Sequence, residues 1–265
     1  MEPWQLQLYK KSLKKKEKID LLLRALPELK GKVCLEVGCA RGTVSHFLRG
    51  AGGSWFHADT DRSNVVGAMA LVRDGVLQVP PNVLPFRDST FDVIVSLDYL
   101  EHVQDDQAAM NELRRVLKPG GNLVISTPTT GPTFVLNKIK PVIGLTLDKY
   151  GHVREGYDLN DLSGRLEQQG YDIVSSCTYS RFFTEFIEMG INFAFVKILG
   201  KGAEGESAKR DGHITIGSQD SFQKHQGSMK LYSLAYPFLY AFTRLDRIWP
   251  FAGYALMVEA KKKSS

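Results

Sequence analysis

The chain has 265 residues, a formal net charge of +5, 43% apolar and 24% charged residues. Those values suit an ordinary soluble protein of one large domain, or one domain carrying an elaborate insertion. They exclude two classes at once. No stretch reaches the roughly 18 uninterrupted apolar residues of a spanning helix, and Cys34, Cys39 and Cys177 form neither a CxxC pair nor a disulfide framework, so a reducing compartment is expected and zinc is not.

Residues 4–30 read as one helix, with Trp4, Leu8, Leu13, Ile19, Leu22, Leu23 and Leu26 among lysines. The lysines of "YKKSLKKKEK" (9–18) interrupt any signal-peptide core, and the expected location is cytoplasmic. Strands and helices then alternate. "KVCLEV" (32–37) is apolar enough for a parallel strand buried on both faces. A helix over 42–50, a strand over 54–59, a helix over 62–74 and a weak strand over 76–79 follow. "FDVIVSLD" (91–98) is the fourth strand, and a helix over 104–118 stops at "PGG" (119–121). Strands are expected at 122–127 and 171–180, with a helix over 159–170 between them. A seventh strand, 253–262, comes only after a long excursion. This is an α/β pattern: a doubly wound, mostly parallel seven-stranded sheet with a helical insertion before the last strand.

The organisation expected is a basic amphipathic helix (1–30), a cofactor-binding core (31–180), an aromatic helical insertion or cap (181–251) containing a mobile linker (201–227), and a final strand with a basic tail (252–265). Runs such as 9–18 and "EAKKKSS" (259–265) are either solvated faces or attract an anionic membrane or nucleic acid.

In "EVGCARG" an acid, Glu36, precedes glycines that let a ligand approach the backbone closely. A nicotinamide site would instead place GxGxxG after the strand and its acid on the second strand, so an oxidoreductase is disfavoured. The remaining pieces are "HADTD" (57–61), "LPFRDSTFDVIVS" (84–96), "DYLEHV" (98–103) and "LRRVLKPGGNLVIST" (113–127), each at a strand end. As a set they closely resemble the class I S-adenosylmethionine-dependent methyltransferases, in the group that includes the ubiquinone and menaquinone methyltransferases. The resemblance covers about residues 30–180.

It implies S-adenosylmethionine as cofactor. Glu36 would help hold the methionine amino group, and Gly38, Cys39 and Gly42 would form the turn beneath the methionine and ribose. Asp59 would accept hydrogen bonds from both ribose hydroxyls, with Asp61 as its competitor; a carboxylate is acceptor-only and suits two donors. Leu97 and Asp98 would complete the cofactor wall, and Tyr99 and His152 would face the acceptor. The chain departs from the family pattern at Ala40, where a glycine is usual, and before "LPF", where the adenine-contacting acid is missing and Asn82 is the available substitute.

Methyl transfer needs alignment and a base only for a hydroxyl, a protonated amine or a carbon acid. His102 is the candidate base. Asp98, Glu101 and His102 share one face if their segment is helical, and form the alternative divalent-metal set of the related ubiquinone O-methyltransferases; otherwise the segment is only a family turn. Cys39 reads as a small buried neighbour of the cofactor.

The insertion holds many aromatics beside Lys197, Lys201, Lys230, Arg244 and Arg247. That composition fits a packed cap, or a surface that meets lipid. The expected function is methyl transfer to a small or lipid-like acceptor, with peripheral contact to an anionic membrane as the further expectation. Nucleic acid is not expected as a partner, since no RNA-binding module appears. An RNA- or protein-directed methyltransferase and a non-catalytic cofactor-binding protein remain the alternatives.

Overall fold

The computed structural model describes residues 2–194, 196 and 219–264. Seven strands, β1 (Val33–Val37), β2 (Ser54–Asp59), β3 (Val76–Gln78), β4 (Phe91–Leu97), β5 (Leu117–Pro128), β6 (Tyr171–Tyr179) and β7 (Ala255–Lys262), form one sheet in the order β3-β2-β1-β4-β5-β7-β6. β7 lies antiparallel between β5 and β6, and the other pairings are parallel. The order reverses between β1 and β4, so their carboxyl ends open the crevice where ligands of such sheets bind.

The central strands are apolar on both faces because helices cover both. Leu35, Ile94 and Leu123 pack on one side, and Cys34, Val93 and Val124 on the other, all with 1% exposure or less. The helices are α1 (Trp4–Tyr9), α2 (Leu13–Ala25), α3 (Thr43–Gly50), α4 (Arg62–Val72), α5 (Asp106–Val116), α6 (Val135–Val142), α7 (Leu147–Tyr150), α8 (Leu159–Gln168), α9 (Phe182–Ala194), α10 (Gln219–Lys224) and α11 (Gln226–Thr243).

Four local expectations change. The N-terminal helix is two helices, because Ser12 turns extended and its hydroxyl accepts from Lys15 N–H (3.3 Å), capping α2. "PGG" lies within β5, where Gly120 at φ 72° accompanies a shift of register against β4. The loop after β5 contains α6 and α7. Of the expected linker, 219–224 is helical, and 201–218 lies outside the described residues, as do 197–200 of the preceding aromatic stretch.

Candidate functional site: a cavity over the strand ends

A cavity of about 1210 Å³ opens over the carboxyl ends of β1, β2 and β4. That exceeds the roughly 300–1,000 Å³ of a single small-ligand site, so a cofactor and a second molecule fit together. Its wall comes from two sources. One end is built by turns next to the strands, and the other by α2, α6, α9 and α11.

At the turn end, Gly38 (φ 83°) and Gly42 (φ 82°) bend the chain out of β1. A Cβ on Gly42 would stand 2.8 Å from Ala68 Cα of α4, and one on Gly38 3.0 Å from Tyr99 Cβ. Both glycines are therefore set by close packing as well as by φ. Ala40, where the family carries glycine, also adopts a left-handed φ of 45°. Asp59 holds this turn: its carboxylate accepts from Ala40 N–H (2.8 Å), Asp61 N–H (2.9 Å) and Asn64 Nδ2 (3.2 Å). Burial raises its pKa above the ordinary carboxylate value against those hydrogen bonds. Asp61 instead caps α4, accepting from Ser63 and Asn64 N–H.

Glu36 is elsewhere. It is buried beneath the turn and does not line the cavity. Its carboxylate accepts from Ser45 Oγ and contacts His57 Nδ1, each at 2.6 Å, and Arg49 Nε donates to His57 Nε2 at 3.1 Å. Arg49 makes Nε2 the accepting nitrogen, so Nδ1 carries the proton and donates to Glu36. The carboxylate expected on the methionine amino group is thus engaged, in this structure, with Ser45 of α3 and His57 of β2. Cys39 is a buried neutral thiol, its pKa raised by burial and by Glu36 and Asp59.

Asn82, Leu97, Asp98 and Tyr99 line the same end. The Asn82 side-chain oxygen is buried and accepts no hydrogen bond among the described residues, so it is an acceptor suited to an amino group such as that of adenine. The turn, Asp59 and this acceptor together fit an adenosine-type cofactor.

The segment "DYLEHV" departs from the expected single helical face. Asp98 has φ 49° and precedes a single 3-10 turn over Leu100–His102. Asp98 is ion-paired with Lys18 of α2. Burial raises the Asp98 pKa, but Lys18, Lys14 and His102 outweigh it and hold it at about 2. Glu101 lines the cavity with no exposure, and neither carboxylate oxygen has a hydrogen-bond partner. Burial and the neighbouring Asp98 charge push its pKa well above the ordinary carboxylate value. His102 Nδ1 donates to the Gly151 carbonyl at 2.9 Å, which makes Nε2 the basic nitrogen. His152 comes from the far wall and stands edge-on to His102, ring centroids 4.8 Å apart. One ligand atom from each of Glu101, His102 and His152 lies within 4.8 Å of the others. His152 thus occupies the place in this group that the sequence reading gave to Asp98.

The sequence reading also left out the lysines of α2. Lys14 reaches Glu185 of α9 at 3.0 Å, Lys140 of α6 reaches the same carboxylate at 2.6 Å, and Ser180 Oγ donates to it at 3.1 Å. Burial raises the Glu185 pKa, but the two lysines outweigh it and hold it at about 2. Lys14, Lys18 and buried Leu22 recur every four residues, on one stripe of α2. That spacing was the available signal that part of the basic run turns inward.

Comparison with known proteins agrees with this geometry. Residues 9–176 match the family described as a methyltransferase domain. The chain belongs to this methyltransferase family. It is similar to the demethylmenaquinone methyltransferase of Streptomyces avermitilis, 33% identical over 108 residues, covering 35% of this chain and 47% of that protein. It is also similar to the ubiquinone biosynthesis O-methyltransferase of Alkalilimnicola ehrlichii, 27% identical over 130 residues, 45% of this chain and 51% of that one. The chain spans about half the length of these curated relatives. The structure of Haemonchus contortus phosphoethanolamine N-methyltransferase 2, solved with S-adenosyl-L-methionine, superposes with a TM-score of 0.57 at 18% identity, over 94% of this chain and 53% of that one. That likeness is one of fold alone. The chain is also similar to a probable S-adenosylmethionine-dependent methyltransferase of Mycolicibacterium smegmatis, 29% identical over 148 residues, 54% of this chain and 53% of that one, in keeping with S-adenosylmethionine as the cofactor.

Proposed function

We propose that this chain transfers the methyl group of S-adenosylmethionine to a small, lipid-like acceptor at a membrane surface. One observation supports this reading above the rest: the cavity runs unbroken from the Gly38–Arg41 turn to the inner sides of α6, α9 and α11, with His102 and Glu101 between. The turn would hold the cofactor, with Asp59 accepting from its ribose hydroxyls and Asn82 from its adenine amino group. The acceptor enters from the helical end.

The sulfonium supplies the electrophile, so the protein's task is alignment and exclusion of water. An acceptor oxygen or activated carbon attacks the methyl carbon. The carbon–sulfur bond breaks with its electron pair on sulfur, and the acceptor's proton passes to His102 Nε2. Glu101, whose raised pKa favours its neutral form, would hydrogen-bond the acceptor oxygen from the cavity wall. The test is to incubate the protein with methyl-labelled S-adenosylmethionine and a whole-cell lysate. Label entering an extractable small molecule supports the reading; label entering only RNA or protein overturns it.

A second reading rests on the Glu101–His102–His152 group. Two imidazoles and a carboxylate form a donor set for a divalent cation, and the cation would expel the Glu101 proton and orient an acceptor oxygen. Activity lost on chelation and restored by added Mg²⁺, Mn²⁺ or Zn²⁺ favours it over His102 acting alone.

A further inference from the structure

Three of the helices that wall the acceptor end, α6, α9 and α11, carry a different surface on their outer side. α9 packs against both α6 and α11, so the three form one layer. Among the described residues, twenty large apolar side chains are exposed, and twelve of them fall in 135–142, 186–193 and 234–251. Such clustering is unusual, because exposed apolar residues are ordinarily scattered.

The arrangement is ordered along the chain. Leu234 and Phe238, exposed by 75 and 79%, lie four residues apart on one face of α11, and Leu245 (38%), in the 3-10 turn Arg244–Arg247, and Ile248 (81%) continue the apolar surface beyond the helix end. Phe251 and, on α6, Val142 extend the apolar surface. Lys138, Lys230, Arg244 and Arg247 are exposed in the same segments. The sole acid of 228–251 is Asp246, whose carboxylate is engaged inward on Phe183 N–H (2.8 Å) and Thr184 N–H (2.9 Å). Lys230, Arg244 and Arg247 are thus exposed in a stretch whose own sequence supplies no second acid beside them. Among the described residues, no helix is long and apolar enough to cross a membrane. An apolar stripe with cations beside it, too short to span, has the chemistry of a helix lying in the interface of an anionic bilayer.

We propose that the outer face of α6, α9 and α11, led by Leu234, Phe238, Ile248 and Phe251, docks on anionic lipid. Docking would bring the helical end of the cavity to the bilayer, so that a lipid-like acceptor enters without crossing water. The purpose of docking rests on the lipid-like acceptor proposed above, whereas the docking itself does not.

The experiment is co-sedimentation of the full chain with vesicles of phosphatidylcholine alone and of phosphatidylcholine with phosphatidylglycerol, at low and high salt. Phe238→Asp and Ile248→Asp serve as variants, since both side chains point outward, and cofactor binding confirms that each variant is folded. Expected is binding to the anionic vesicles that weakens with salt and falls about tenfold or more in both variants, with cofactor affinity unchanged. Three results would overturn it: no binding to anionic vesicles, binding that both variants retain in full, or a dimer that buries the stripe and leaves vesicles untouched. None of these depends on methyl transfer, so an incorrect acceptor class leaves the docking result readable.

Discussion

The two ends of the cavity are built in opposite ways. At the turn end, each important group lies within a few residues of a strand terminus, and backbone N–H groups do much of the holding, as at Asp59. At the helical end, side-chain charges do the holding, and partners are far apart in sequence: Lys14 to Glu185, Lys18 to Asp98, Lys140 to Glu185. The first kind of site is written locally. The second exists only once the chain has folded around it.

The largest test of this contrast concerns His102, which stands at the junction. His102→Gln keeps a hydrogen-bond donor but has no basic nitrogen, and kcat is expected to fall by about 10²–10⁴. Single-turnover rates with a saturating acceptor measure it, and cofactor affinity should change little. An unchanged rate would leave the chemistry to alignment alone.

Next comes the ion cluster of the helical end. Glu185→Gln leaves Lys14 and Lys140 without their charge partner, and is expected to cost about 3 kcal/mol at neutral pH. The Glu185 pKa is lowered from 4.5 to about 2 in the folded chain, so its stabilisation is fully present above pH 4.5. It is lost as pH falls through about 2. The stability gap between the native chain and Glu185→Gln, followed by urea denaturation, should therefore close as pH drops through that window. A gap independent of pH would mean that the cluster contributes packing rather than charge.

At the turn end, Asp59→Ala removes acceptors for the turn and for the ribose. A loss of about 1.5–3 kcal/mol, roughly tenfold to over a hundredfold in cofactor affinity by calorimetry, is expected. If Asp61→Ala has the larger effect, the ribose acceptor is the wrong one of the two. The smallest effect runs the other way. Ala40→Gly relieves a left-handed alanine and should stabilise the chain by up to about 1 kcal/mol, read as a raised denaturation midpoint.

The same contrast explains what the sequence disclosed. The seven strands and the Gly38–Gly42 turn were legible because periodicity and glycine placement report local geometry. Glu36 was legible as important but not in role, since its partners Ser45 and His57 come from α3 and β2. The lysines of 9–18 read as a solvated or membrane-facing run, yet Lys14 and Lys18 bond groups from α9 and the end of β4. His152 could be named as a pocket residue, but not that it would stand beside His102, fifty positions away. No local pattern encodes which distant carboxylate or ring a helix will meet.

The closure of the long excursion has a consequence for how this fold can change. Tyr254 N–H donates to the Ser180 carbonyl at 2.8 Å and Gly253 N–H to Thr178 Oγ1 at 2.9 Å, so the chain leaves the sheet after Ser180 and rejoins it beside the same point. Gly253 is the latch, since a Cβ there would lie 2.0 Å from the Tyr179 carbonyl oxygen. With its ends clamped, even a doubling of the segment's length adds only about 0.6 kcal/mol of closure entropy. The junction therefore works as a socket: a segment of different length can close at the same point, while the turn after β1, on the opposite side of β4, is not part of the joint.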